Sequence, residues 1–449
     1  MNKRNFIYYF KKNKNRIAII SNKKKITYLD ILNFKEKHFH CKKKVFLLFS
    51  YDYYETIFLY SSLLVSENII ILIDFINDKN YLQLITKKYR PNYIILPNKK
   101  ILNFKIPGKK IYSLKKTDIY EVVSNKKISY NITNKLLLST SGTTGSPKMV
   151  KLSDENLLSN AKSICAYLKI TKNDSCITTL SPSYSYGLSI INTHLLKGGK
   201  IFINQLNITN HKFWRLIISN KISSISLVPD QLEILAKYSF FNKNLNSIKY
   251  MTSAGGKLKE NVISFLKKYC EKKGILFYVM YGQTEASPRI SYYKLNKTNL
   301  RHNCIGKPIK KGKLMISGKN KIGEIVYSGP NIFLGYAEDY LDLKKKASIK
   351  KKLNTGDIGY KDQNGYFYVV ERKKRIAKIS GLRISLDHLE EIFRNKKIMI
   401  NCYLANDKIK IYIKNMKFKK NVKSYLINKL HLNDNDFSFI SKQIKVRKK

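Results

Sequence analysis

Residues 136–150 read LLLSTSGTTGSPKMV. An apolar strand runs into a loop of small hydroxyl and glycine residues, meets a lysine, and turns apolar again. Phosphate groups are held by closely approaching backbone N–H groups, which glycine permits, together with hydroxyl donors and a cation. Ser139, Thr140, Ser141, Gly142, Thr143, Thr144, Gly145 and Lys148 supply those parts. The string is not a Walker A loop. Pro147 stands where that motif has its last glycine, and Met149 follows the lysine where a Ser or Thr would meet magnesium. Taken alone, the string also fits an ordinary Ser/Thr/Gly turn.

Upstream, VFLLFS (Val45–Ser50), NIIILIDF (Asn68–Phe75) and NYIILP (Asn92–Pro97) read as buried strands. YYETIFLYSSLLVS between the first two has the apolar spacing of a helix. Strand, helix, strand in that order predicts an α/β sheet with parallel strands. The pattern returns downstream. CITTLSP and KIFINQL flank a helix over Gly187–Leu196, SSISLVP leads into a helix from Asp230, and ILFYVMYG follows a helix over Asn261–Lys273. From Gly323 the texture changes, and GEIVYSG and GYKDQNGYFYVV, with its Asn-Gly turn, predict short antiparallel strands. Beyond the charged run Glu371–Arg375 come a helix around Leu386–Arg394 and the strands NCYLAN and KIKIYIK. A boundary is therefore expected at Arg372–Lys374, dividing a large domain, 1–371, from a small one, 372–449.

The composition narrows the class. With 43% apolar and 12% aromatic residues in 449, the chain can bury a sizeable core and is not of the disordered type. Its net charge of +56 draws attention to nucleic acid. Yet only 11 of the basic residues are arginine against 75 lysines, spread along the whole chain with no RNP, zinc-finger or basic-arm pattern. Lys, Asn, Ile and Tyr, whose codons are rich in A and T, are all heavily used, so compositional drift accounts for the excess. No specific nucleic-acid partner is expected, only non-specific adhesion at low salt. Six scattered cysteines without a CxxC pair predict neither a metal site nor a disulfide framework. The most apolar region, Thr56–Phe75, is broken by Glu67, Asn68 and Asp74, so no membrane span is expected. The N-terminal apolar patch is too short for a secretory signal, and a cytoplasmic protein is expected.

The string at 136–150 resembles the phosphate loop of the adenylate-forming superfamily, the AMP-binding enzymes that include acyl-CoA synthetases, luciferases and nonribosomal-peptide adenylation domains. The resemblance continues in the family's order. YGQTE (Tyr281–Glu285) is similar to the adenine and magnesium segment. It implies that Tyr281 stacks on adenine beside Gly282, that Thr284 contacts the α-phosphate, and that Glu285, with Thr144, holds Mg²⁺. A flat aromatic face suits a base, with stacking worth roughly 1–3 kcal/mol, and a carboxylate suits a hard cation. GEIVYSGPNIFLGY (323–336) and NTGDIGYKDQNGYFYVVER (354–372) resemble the next two blocks, which implies that Asp357 and Arg372 reach the ribose. Without the family, an Asp after Gly reads as a turn residue. Ala254, Gly255 and Gly256 resemble the adenine-rim loop, though a plain strand–helix turn would look the same. RKKRIAKISGLRISLDHLEE (372–391) resembles the block that opens the C-terminal domain, with Lys374 at the hinge and Lys378 and Gly381 on the lid loop. Read alone, it is a solvated basic turn before a helix.

SPSYSYGLSIINTHLLKGG (181–199) resembles the acyl-pocket block, with Tyr184 where many acyl-CoA synthetases carry histidine, followed by Tyr186 and Gly187. Amino-acid-activating members typically place an aspartate in the pocket to pair with the α-ammonium. From Ser175 through Pro229 there is no Asp or Glu, and a buried ammonium without a partner is costly. A non-amino carboxylic acid is therefore expected.

The resemblance implies a large N-terminal domain of parallel-rich sheets with helices and a small β-barrel-like part, followed by a shortened α+β lid. It implies an AMP-forming acid–thiol ligase: the carboxylic acid and Mg·ATP give an acyl-adenylate, and the acyl group passes to coenzyme A or to the phosphopantetheine of an acyl carrier protein. Lys148, Thr284 and Glu285 would be catalytic. The alternatives are an amino-acid adenylation enzyme that loads a carrier protein, and a catalytically impaired nucleotide-binding relic. Intact phosphate, YGQTE and TGD blocks argue against the relic. Family members end on a Gly-Lys pair whereas this sequence runs to Lys449 without one, so slow adenylation is expected, with Lys448 or Lys449 as possible stand-ins.

Overall fold

In a computed structural model, every residue of Val45–Ser50 is buried. Phe46 and Leu48 face one core, and Val45, Leu47 and Phe49 face another. That is the pattern of a strand covered on both sides, and it explains the unbroken apolar run. The strand lies within an eight-stranded sheet and pairs in parallel with Ile69–Asp74 and Tyr93–Pro97. The helix Tyr53–Leu64 makes the crossover, started by the Asp52 side chain, which accepts from the Glu55 N–H at 3.1 Å. Leu136–Ser139 joins Ile69–Asp74 in parallel, and Met149–Leu152 returns antiparallel to it. The residues described are 5–440 except 22–23, 99–107, 123–129, 132, 140–147, 239–244, 296–300, 302, 319–320, 346–351, 373–375, 381, 397 and 414.

A second sheet has thirteen strands. Ile17–Ser21, Lys200–Phe202, Ser175–Ile177, Ser224–Leu227, Tyr250–Ser253 and Leu276–Gly282 run parallel. At Leu276–Gly282 the direction changes. Arg289–Lys294 pairs antiparallel with it, and the antiparallel strands Cys304–Pro308, Phe367–Arg372, Leu353–Lys361, Ile322–Ser328 and Lys313–Ile316 follow edge to edge.

Alternation within the strands sorts the side chains into layers. Cys176, Ile201, Tyr250 and Tyr278 face the central core, while Ile177, Phe202, Met251 and Phe277 face outward. The central core holds the helices Tyr28–His38, Tyr53–Leu64, Asp154–Leu168 and Ser185–Lys197 between the two sheets. The outer face of the second sheet is covered by His211–Ser219, Pro229–Lys237 and Glu260–Lys273, and that of the first by Lys79–Tyr89. The result is a mixed α/β architecture of alternating helix and sheet layers.

Lys135 departs from the surface role lysine usually takes. It is buried, and its Nζ donates to the carbonyls of Leu63, Ser66 and Asn68, closing the end of Tyr53–Leu64 with an ammonium.

Residues 377–437 supply a hydrophobic cluster of their own. It is built on the hairpin Ile376–Ile379/Leu382–Ser385, the helix Leu386–Asn395, the hairpin Ile400–Ala405/Lys408–Ile413 and the helix Lys419–Leu430, with Phe437–Ile440 added parallel to Lys408–Ile413. All six cysteines are unbridged, five of them buried. Among the described residues no helix is long and apolar enough to cross a membrane.

Candidate active site

Connections from the two sheets meet at one tyrosine ring. Gly335–Ala337 adds to the edge of Met149–Leu152, so Tyr336 lies opposite Val150. Lys148 immediately precedes Met149–Leu152 and carries its Nζ over the Tyr336 ring, 4.4 Å from the centroid. Glu285 sits in the turn Thr284–Ala286 between Leu276–Gly282 and Arg289–Lys294. Its Oε1 accepts the Tyr336 hydroxyl at 2.8 Å, and its carbonyl accepts the Phe333 N–H at 2.9 Å. Burial, and then the Glu285 carboxylate, push the Tyr336 phenol above its ordinary range, so it stays protonated and remains a donor.

Lys148 is 3.2 Å from Glu338, with the two side chains 49% and 65% exposed. A pair so open to solvent contributes little, so the ammonium can move to a phosphate at small cost. A cavity of about 500 Å³ opens here, lined by Lys148, Tyr336, Glu338, Asp339 and Asp342 among others. Thr284 donates its hydroxyl to Ser185 Oγ at 3.1 Å, which ties this turn to the helix Ser185–Lys197.

On the other side of the turn, Tyr281 donates its hydroxyl to the Asp357 carboxylate. Asp357 is buried within the strand Leu353–Lys361, which corrects the turn reading of an Asp after Gly. Its N–H donates to Thr355 Oγ1 at 3.2 Å, and Thr355 in turn donates to the Ile325 carbonyl at 2.7 Å. Arg372 is its partner in register on the neighbouring strand. Gly282 is needed for close approach, since a Cβ there would lie 1.9 Å from the Pro288 carbonyl oxygen. The same oxygen accepts the Gln283 N–H at 2.9 Å and closes the turn.

Tyr184 precedes the helix Ser185–Lys197, and Gly187 lies in that helix's first turn. The Tyr184 hydroxyl reaches Gly255, whose φ is +90° and whose missing Cβ would lie 2.5 Å from it. Tyr184 and Tyr186 meet edge to face at 6.3 Å. Tyr186 turns inward, hydrogen-bonded to Thr252 Oγ1 at 2.8 Å, with burial pushing its phenol up to about 12.

Two charged residues here escaped the sequence reading. Asp74, at the end of Ile69–Asp74, accepts from Ser181 Oγ at 2.7 Å and Ser183 Oγ at 2.5 Å. Arg289 is 1% exposed, with its Cζ 5.3 Å from the Tyr186 ring. In the sequence Asp74 serves only to break an apolar run, and Arg289 opens RISYYK, which carries no motif.

Ser141, Gly142, Thr143, Thr144 and Gly145 lie outside the described residues, as do Lys374 and Gly381. Arg372 and Lys378 are placed by backbone only, Lys378 on Ile376–Ile379 opposite Arg383.

The fold is that of the adenylation enzymes. Over 97% of its length the chain superposes on 96% of o-succinylbenzoate coenzyme A synthetase from Bacillus subtilis, a structure in complex with ATP and magnesium ion, with a TM-score of 0.65 and 17% identity. An artificially fused adenylation–PCP di-domain from Klebsiella oxytoca, NpsA-ThdA, superposes with a TM-score of 0.72 at 16% identity, covering 97% of this chain and 93% of that one.

Residues 134–337 match the AMP-binding enzyme family. The chain is 29% identical over 259 residues to the 2-succinylbenzoate–CoA ligase of Listeria innocua, a stretch covering 57% of this chain and 53% of the ligase. The chain thus spans about half the length of the curated relatives it matches.

Proposed function

We propose that this protein is an AMP-forming acid–thiol ligase, which activates a non-amino carboxylic acid with Mg·ATP and passes the acyl group to coenzyme A or to a carrier-protein phosphopantetheine. One observation carries the reading: Lys148, next to the proposed phosphate segment, and Glu285, of YGQTE, meet at Tyr336, the first over its ring and the second on its hydroxyl. A cation for the phosphates and a carboxylate for their metal are then held by one tyrosine. Mg²⁺ keeps several waters and takes one or two carboxylates plus substrate phosphates. Glu285, with one oxygen held by Tyr336, fits that demand; among the described residues no group of three His, Cys, Asp or Glu forms a metal cage.

The residues' work is positioning and charge neutralisation. Lys148 draws negative charge off the phosphates, and Thr284 orients the α-phosphate from a hydroxyl braced on Ser185. Asp357 and Arg372 hold the ribose. The acid's carboxylate oxygen forms a bond to the α-phosphorus as the bond to pyrophosphate breaks. The thiol sulfur then bonds to the acyl carbon, and AMP leaves. Residues 372–449 act as the lid, turning about Lys374 to bring Lys378 and Gly381 to the site for the second step. Their self-contained hydrophobic cluster supports this division at 372. The amino-acid alternative needs a carboxylate for the substrate ammonium, and residues 175–229, which include the proposed acyl-pocket segment, contain none.

Acid-dependent ATP–pyrophosphate exchange across a panel of carboxylic and amino acids tests the first step, and AMP release with coenzyme A or a pantetheinylated carrier tests the second. Exchange with carboxylic acids is expected. Exchange with free amino acids alone would overturn the substrate class. Substituting Lys374 or Lys378 should slow thioester formation more than exchange, and equal losses would remove the lid role.

A further inference from the structure

Charged side chains are almost never fully buried without a partner. Arg289 is 1% exposed, and its Nε and Nη2 have no hydrogen-bond partner among the described residues. What surrounds the guanidinium is aromatic. Its Cζ lies 5.3 Å from the ring of Tyr186. Its charge is also felt by the phenol of Tyr167, a ring stacked on Tyr292 at 3.9 Å. Ring faces soften the burial of a cation but offer no acceptor in the plane of its N–H groups.

The position of Arg289 is held firmly. Its carbonyl accepts the side-chain amides of Asn160 at 3.1 Å and Asn331 at 2.8 Å, and it pairs in register with Gly282 across the hairpin. The backbone is therefore pinned from three sides. The guanidinium stands against Tyr186, the inward member of the tyrosine pair whose outer member, Tyr184, touches Gly255. Arg289 thus stands against the inner side of the acyl-pocket segment, at the start of the strand that follows the turn of Thr284 and Glu285.

We propose that Arg289 is a specificity-determining residue, and that the acid activated here carries a second anionic group at its far end, which the guanidinium receives through two parallel hydrogen bonds. This rests on the acid-activating reading above and narrows its substrate class to compact dicarboxylic acids or acids with a phosphonate-like tail. A planar fork matches a carboxylate or phosphate in two-point contact. The hairpin keeps the substrate short, because Arg289 faces Gly282 directly and the activated carboxylate must lie by Thr284.

The test measures ATP–pyrophosphate exchange with matched pairs: adipate against hexanoate, homophthalate against phenylacetate, and a phosphonate-tailed hexanoate in a third arm. Wild type should favour the doubly anionic member of at least one pair by about 10- to 100-fold in kcat/KM, the scale of hydrogen bonds to a charged group. Arg289→Met should reverse that preference, with Arg289→Lys in between. The phosphonate arm shows which anion fits. Ligand-free Arg289→Met should melt at or above the wild-type temperature, since an unpaired buried charge has gone. A fall in melting temperature with uniform loss across all acids would show a structural role and overturn the proposal, as would equal preferences in wild type and Arg289→Met.

Calorimetric binding of adipate and homophthalate separates this idea from the one it rests on. Binding that needs Arg289, without exchange by any acid, would keep the anion site and remove the adenylating reading. Neither exchange nor Arg289-dependent binding would remove both.

Discussion

The hydroxyl of Tyr281 donates to the carboxylate of Asp357, joining two residues 76 positions apart on strands separated by three others in the same sheet. The bond fixes the carboxylate beside the aromatic ring. In the proposed reaction the ring takes the base and the carboxylate takes the sugar, so this one contact sets their spacing.

Asp357→Ala should therefore raise the KM for ATP by roughly 10- to 100-fold, the scale of losing hydrogen bonds to a charged group. Tyr281→Phe, which keeps the ring, should cost less. The two changes should be non-additive by about 0.5–3 kcal/mol, as for residues in contact. Steady-state exchange at varied ATP measures this, and an unchanged KM in Asp357→Ala would remove Asp357 from the nucleotide.

Glu285→Gln should lower adenylation by roughly tenfold or more while leaving the fold intact, the scale of one positioned electrostatic contact. Tyr336→Phe keeps a ring under Lys148 and removes only the hydroxyl on Glu285. It should give a smaller loss and a shifted Mg²⁺ dependence. Titrating Mg²⁺ in the exchange assay distinguishes them. A Glu285→Gln variant as fast as the parent would show that the metal is held elsewhere.

Gly255→Ala should be destabilising twice over, through its left-handed backbone and through the Tyr184 hydroxyl 2.5 Å from the new Cβ. Only the second cost is relieved by Tyr184→Phe, because the next ring atom lies at 3.6 Å, an ordinary contact. The double variant should thus recover part of the lost melting temperature, leaving about 1 kcal/mol of backbone strain. No recovery would mean that the hydroxyl can swing away freely.

Acid stability should depend on Asp174. Burial works to raise its carboxyl, but the Lys249 ammonium at 2.6 Å and the Thr171 N–H and hydroxyl outweigh burial and hold it below the ordinary 3.8. A carboxylate with a depressed folded pKa stabilises fully above its unfolded value and loses that contribution as pH falls through the folded one. Asp174→Asn should cost about 1–2 kcal/mol at neutral pH, with the lysine's share screened by solvent. The gap to wild type should hold above the ordinary carboxylate pKa and close below it. Urea melts from neutral pH down into the acid range would show this, and a gap independent of pH would refute it.

Strands buried on both faces were legible because nothing polar interrupts them: Val45–Ser50 was read to the residue, and Tyr93–Pro97 to within one. Helix ends were less so. The helix read as Gly187–Leu196 runs Ser185–Lys197, because its first turn carries hydroxyl and aromatic residues with no capping signature. Arg289–Lys294 was not read as a strand at all, since RISYYK has charges at both ends and owes its state to its neighbours. Of the site, the motif strings could be quoted, but not their meeting: Thr284 finds Ser185 from 99 residues away. Lys135 shows the limit most sharply. One lysine among 75 gives no sign that it closes a buried helix end, because that role is set by carbonyls of another segment.

Tyr336 belongs to the eight-stranded sheet, Lys148 immediately precedes one of its strands, and Glu285 belongs to a connection of the thirteen-stranded one. A nucleotide bound at this ring would therefore rest on both sheets at once and act as a clamp between them. Held at a thousand times its dissociation constant, such a ligand adds about 4 kcal/mol to the folded state. That is a large part of the roughly 5–15 kcal/mol that keeps a domain folded. The survival of this protein against heat and proteases would then follow the nucleotide supply around it, and its turnover would quicken when that supply falls.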